Sequence, residues 1–205
     1  MDEVYFYCGY VLAVAYSIIF HEVAHGVAAL LAGDDTARIS GRITLNPIPH
    51  VDLFGTIILP GLLIVTRSPV VFGWARPVPV NPLRFRRPVR DDIAVSLAGI
   101  GVNLLLAYCF ILLRHLSAHT MNERLFVAIA VMNISLAVFN LVPVPPLDGS
   151  HVFKYLLPRD ARRRYEDLAL YGGFLIFFFL LLGGELLNVV ISTVFSALWF
   201  LGGHG

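Results

Sequence analysis

Long apolar runs dominate the chain. They cover about Val4 to Ala32, Ile93 to Leu113, Leu125 to Val142, Leu168 to Leu182 and Leu186 to Leu201. Runs near 20 residues read as membrane-crossing helices, because each residue rises 1.5 Å along a helix. The last two runs flank Gly183-Gly184-Glu185 and read as a helical hairpin. A shorter run, LFGTIILPGLLIV at 53–65, is broken by Pro60-Gly61. Its length suits a re-entrant segment better than a span. Backbone that leaves helix at membrane depth must line a cavity or be buried in protein. GRITL, starting at Gly41, alternates and carries β-branched residues, so residues 40–66 are expected to offer a β-like edge. The expected fold is an all-α polytopic membrane protein of about five to six transmembrane helices. The re-entrant, β-like segment lies between the first two full spans. One integral-membrane domain would fill 1–205, with its core at about 4–157 and a C-terminal helical pair at about 166–202.

Composition agrees. Hydrophobic residues make up 58% of the 205 and charged residues 14%, against about half and about a quarter in soluble domains. A net charge of +1 gives no case for nucleic acid as a partner. The placement of charge says more. Thirteen of the fifteen Lys and Arg residues fall in 34–50, 67–90 and 154–164. The positive-inside rule puts those three loops in the cytosol of a cell-membrane protein, with the N-terminus outside. A C-terminal hairpin would return the C-terminus to the cytosol. Cys8 and Cys109 lie far apart in apolar segments and read as reduced thiols. The opening MDEVYFYCGY lacks a basic signal-peptide region, so the first run is expected to be retained.

Candidate chemistry begins inside the first run, at HEVAH, residues 21–25. Ionisable groups in a span cost about 2.5–3.5 kcal/mol each, so three within five residues call for a function. Residues four apart share one face of a helix. His21 and His25 can therefore meet one zinc ion, while Glu22, rotated off that face, is placed to act as a base. A catalytic zinc takes three protein ligands and keeps one position open. The candidate third ligand is Asp148, in FNLVPVPPLDGSHVF at 139–153, after prolines 143, 145 and 146. The alternative for Asp148 is the N-cap of the helix that follows, which starts near Ser150.

HEVAH in a first span, NLVPVPPLDG after a later one, and GRITLNPIPHVDLFGTIILP with FGWARPVPVNP between them resemble the site-2 protease family of intramembrane zinc metalloproteases. The resemblance is to its compact prokaryotic branch without PDZ or CBS domains, and it runs from about residue 10 to 165. It implies one zinc per chain on His21, His25 and Asp148, with Glu22 as general base and then acid. It implies substrates that are single-span membrane proteins or peptide remnants in the lipid bilayer. Asn140 matches a family asparagine held to support substrate or its carbonyl; equally, it could be a buried amide satisfying backbone freed by Pro143. SLAGIGVN at 96–103 matches the family's Ala-Gly-Pro-x-x-Asn stretch, with Ile100 where proline is usual. Asn103 there suits helix-to-helix hydrogen bonding. His50 has a regular place beside the re-entrant stretch, as an extra ligand or a structural hydrogen bond. His151 reads as a helix-start histidine, and His115, His119, Tyr7 and Phe177 to Phe179 as loop, interface or lipid contacts.

Two other readings compete with an intramembrane endopeptidase. A zinc carrier or sensor would use the same ligands without needing Glu22. A non-proteolytic membrane scaffold would bind spans without cutting them. The sequence leaves the oligomeric state open.

Overall fold

The computed structural model describes residues 2–67, 73–115 and 121–202. The described residues form helices and connecting segments, with no strand among them. In chain order the α-helices are α1 Asp2–Ala32, α2 Thr36–Ile39, α3 Leu59–Val65, α4 Pro88–His115, α5 Met121–Leu141, α6 Asp148–Phe153, α7 Arg159–Asp167 and α8 Gly172–Leu201. A π-helical turn at Leu53–Ile58 runs directly into α3.

Helices α1, α4 and α5 pack against one another as the centre of the fold. Small and branched side chains set the spacing: Ala107 on α4 and Ile134 on α5 are fully buried. Asn133, also fully buried, donates from Nδ2 to Ser17 Oγ at 3.0 Å and ties α5 to α1. Ion pairs show which ends lie together. Arg124 meets Glu3 at 2.8 Å, Arg114 meets Glu123 at 3.4 Å, and the Arg114 guanidinium stacks 3.5 Å from the Trp199 ring centre. The start of α1, end of α4, start of α5 and end of α8 therefore share one end of the molecule. The Arg-rich loops lie at the other, where Arg86 N–H donates to Ala32 O.

Among the described residues, four helices are long and apolar enough to cross a membrane, in Glu3–Ala32, Pro88–Arg114, Asn122–Leu141 and Leu182–Leu201. With that architecture this is a multi-pass membrane protein. Five to six were expected; the count differs in the C-terminal pair, while the short run reads as short in both. Residues 53–65 are helical but short, about 20 Å at 1.5 Å per residue. The expected C-terminal pair is one continuous helix, α8. Two glycines cost about 1 kcal/mol each in a helix, but where no water competes for the backbone, unbroken helical hydrogen bonds outweigh that. The C-terminal end of α8 thus lies beside the N-terminus of α1, opposite to the expected hairpin return.

The β-like edge is also corrected. Around GRITL the chain turns locally: Asn46 N–H donates to Thr44 Oγ1, Ile48 N–H to Asn46 Oδ1, and Arg42 N–H to Ala37 O. Side chains of this kind offer the backbone partners that a ladder would otherwise supply. Non-helical chain at 73–81 does the bridging instead. Trp74 N–H donates to Gly55 O at 3.1 Å, Arg76 N–H to His50 O at 2.9 Å, and Asn81 N–H to Asp34 Oδ2 at 2.6 Å. Arg42, itself buried, donates to the carbonyls of Arg76 and Pro77. This strap crosses α1 at the level of HEVAH. His119 and the His115 side chain fall outside the described residues.

Candidate metal centre

α1 carries His21 and His25 one turn apart, and both are buried. Their Nε2 atoms lie 3.0 Å apart. Asp148 Oδ2 completes a triangle, 3.2 Å from His21 Nε2 and 3.3 Å from His25 Nε2. The edge of a tetrahedron of zinc ligands at about 2.05 Å is about 3.3 Å, so the three atoms have the spacing of one tetrahedral face. No other group of His, Cys, Asp or Glu among the described residues converges in this way.

Proton placement favours a cation between them. His25 Nδ1 lies 2.7 Å from Val95 O. A carbonyl only accepts, so Nδ1 carries the hydrogen and Nε2 offers a lone pair to the cluster. Asp148 Oδ2 is buried and has no hydrogen-bond partner among the described residues, although two imidazoles face it. A buried anionic oxygen beside lone-pair nitrogens is costly unless a positive charge joins them. These residues fit zinc.

Asp148 is not an N-cap. It is the first residue of α6, the preceding Leu147 makes no side-chain cap, and the carboxylate turns to the histidines. Gly149 makes this possible: a Cβ there would lie 2.1 Å from Leu141 O. The α6 backbone therefore sits directly on the end of α5. Gly99 does the same on the other side. A Cβ at Gly99 would fall 2.6 Å from His21 Cε1 and from His25 Nε2. The sequence comparison of SLAGIGVN singled out Ile100 and Asn103, and missed that Gly99 lets α4 touch both rings.

Glu22 lies off the ligand face. Its Oε2 accepts the Val78 N–H of the strap at 2.7 Å. It lines two cavities that meet at the cluster. One, of about 570 Å³, is mostly apolar and runs between Trp74, Phe139 and the α8 residues Ile176, Phe177 and Leu180. The other, of about 320 Å³, is bounded by the strap, His151 and Asp92. Phe177 therefore borders the site as well as the membrane side.

The remaining expected residues separate. Asn140 lines both cavities, and its Nδ2 donates to Leu136 O at 3.0 Å. It does not serve Phe139 O, the carbonyl that Pro143 leaves without a helical donor; that oxygen accepts Val142 N–H at 3.1 Å. Asn103 is fully buried at the edge of the larger cavity, and neither amide atom has a partner among the described residues. The expected helix-to-helix hydrogen bond is not made there. His50 is outside the cluster: its Nε2 lies 2.9 Å from Thr44 O, where it donates, fixing the turn beneath the strap. His151 turns to Asp92 at 3.3 Å. Asp92 escaped the sequence reading because an acid near a helix start suits the helix dipole without further purpose.

Comparison with known proteins points the same way. The model of peptidase family M50 matches residues 114–182, which include Asn140 and Asp148. The chain is 39% identical over 195 residues to YwhC of Bacillus subtilis (strain 168), across 89% of this chain and 85% of that protein. It is 28% identical over 187 residues to Rip2 of Mycolicibacterium smegmatis, across 90% and 69%. Rip2 of Mycobacterium tuberculosis is 31% identical over 136 residues, across 65% and 51%. No solved structure matches. Extended similarity to YwhC, the match to the family model and an all-helical membrane fold around HEVAH lead to one assignment: the chain belongs to peptidase family M50, the site-2 proteases.

Proposed function

We propose that the chain is an intramembrane zinc endopeptidase that hydrolyses peptide bonds within or near the spans of single-span membrane proteins or peptide remnants. The observation that carries this is the ligand triangle of His21, His25 and Asp148, with Glu22 lining the cavities that meet there. The relatives YwhC and Rip2 carry zinc metalloprotease in their names. At 1.5 Å per residue, His21 lies about 16 Å from the Ala32 end of α1, deep within a bilayer. Basic loops at that end favour a cytosolic face there, in a cell membrane, with both described ends outside.

One zinc ion per chain would be held by His21 Nε2, His25 Nε2 and Asp148 Oδ2, polarising the scissile carbonyl and favouring hydroxide at neutral pH. The protein supplies the rest. Val95 O holds His25 in the tautomer that leaves Nε2 free. Val78 N–H holds one Glu22 oxygen, so the carboxylate has a fixed direction and a second oxygen to spare. Glu22 takes a proton from the attacking water and passes it to the leaving amine nitrogen. The apolar cavity offers an unwound substrate segment a place beside Glu22, bordered by Asn140.

The test compares Glu22→Gln with wild type in host membranes. Fragments of span-containing proteins should fall by about 10²–10⁴-fold in rate, while the purified variant keeps its zinc. Unchanged fragments with zinc retained would favour a metal-handling protein or a non-proteolytic scaffold instead.

A further inference from the structure

Asp92 has no place in the chemistry above, yet it is 3% exposed and gathers three donors. Its Oδ2 lies 2.8 Å from Lys154 Nζ and accepts from Tyr155 OH at 2.8 Å. Its Oδ1 lies 3.3 Å from His151 Nδ1. All three partners belong to α6 or to the 3₁₀ turn Lys154–Leu156 that continues it.

α6 needs such a hold. It is six residues long and follows a proline-rich stretch. A helix that short does not fix its own position in space. Its first residue must nevertheless bring a carboxylate oxygen within 3.3 Å of both histidines. Gly149, seated on Leu141, secures the front of α6. Asp92 secures the back, gripping His151 three residues after Asp148 and then Lys154 and Tyr155. On α4, Asp92 stands three residues before Val95, whose carbonyl orients His25. Residues three apart share a helix face. A single turn of α4 thus fixes one histidine ligand directly and the aspartate ligand through α6.

Building on the metal site proposed above, we infer that Asp92 is a positioning residue that sets the distance between Asp148 and the two histidines. Its charge is satisfied by Lys154, so α6 cannot draw away from α4 without leaving a buried carboxylate unpaired. Residues that orient ligands from behind typically change metal affinity by about 10–100-fold when removed.

The experiment measures zinc affinity of the full chain in detergent by competition with a chromophoric chelator. Four proteins are compared: wild type, Asp92→Asn, Asp148→Ala and the double variant. Asp92→Asn should weaken zinc by about 10–100-fold. In the Asp148→Ala background the same change should alter affinity by less than about twofold, because the ligand it positions is gone. Equal weakening in both backgrounds would overturn the proposal, as would unchanged affinity with only a lower melting temperature. Should Asp92→Asn fail to fold, Lys154→Met takes its place in the same cycle. It is expected to weaken zinc only when Asp148 is present, and any other result overturns the proposal. A wild-type protein that takes up no zinc would instead overturn the metal assignment itself.

Discussion

The two walls that face the candidate metal centre are built to different tolerances. On the α4 wall, backbone touches the imidazoles: Gly99 leaves no room for a Cβ, and Val95 O holds His25 at 2.7 Å. On the α8 wall, Ile176, Phe177 and Leu180 face the same centre across about 570 Å³ of space. A Cβ added at Gly173 would meet nothing within 4 Å. The looseness is local, for farther along α8 Leu187, Ile191, Val194 and Leu198 pack on Ala107, Ile134 and Val138. A ligand set needs positions held to a fraction of an ångström, whereas a peptide entering from the bilayer needs space. The fold places tight backbone contact behind the candidate ligands and yielding side chains ahead of them.

The sharpest way to break this comparison is to add volume to the tight wall. Gly99→Val should drive methyl groups into both rings and weaken zinc by about 100-fold, the upper range for residues behind ligands. Gly101→Ala, on the same helix, meets nothing within 4 Å and should leave metal content as in wild type. Metal analysis of both purified proteins decides it; a zinc-replete Gly99→Val protein would mean the rings have slack that the geometry denies. A smaller effect is expected on the loose wall. Ile176→Val removes one methylene facing the apolar cavity. Losing such a contact changes KM for a span-derived peptide by about tenfold, the low end for one methylene in an apolar pocket, without change in zinc content. Loss of zinc in that variant would show that α8 supports the ligands after all.

The candidate ligand set was more legible than either wall. HEVAH puts two candidate ligands on one helix face by spacing alone, and Asp148 stands out as an acid after a proline-broken span. The α1, α4 and α5 spans follow from apolar length, because lipid leaves helix as the only open structure. What failed was local turn chemistry. Gly183-Gly184 reads as a turn, but α8 continues through it, since the apolar residues on either side keep the backbone away from water. GRITL reads as a strand, but Thr44 and Asn46 cap their own backbone. Gly99 and Asp92 were invisible for another reason. Their partners lie 59 to 78 residues away in sequence, and neither residue type announces such a contact.

The least effect is expected where the strap is moored. Asp34 is fully buried just beyond the end of α1 and accepts Asn81 N–H at 2.6 Å and Thr36 N–H at 3.0 Å. Burial works to raise its carboxyl, but those donors and the Thr36 hydroxyl outweigh it and hold the group below the ordinary carboxylate value. A depressed folded value means the mooring is at full strength above the unfolded value of about 3.9 and is lost as pH falls through the folded one. Hydrogen-exchange protection of the Asn81 amide, corrected for intrinsic rates, should therefore stay level from pH 7 to about 4 and drop below that. Asp34→Asn should start about fivefold less protected at pH 7, the loss of about 1 kcal/mol for an ionic acceptor made neutral, and show no acid step. Zinc content should not change, because Asp34 touches the strap and not the ligands. A variant whose protection tracks wild type at every pH would place the mooring elsewhere, in the bonds of Arg42 to the Arg76 and Pro77 carbonyls and of Arg76 N–H to His50 O that also hold the segment reaching Glu22.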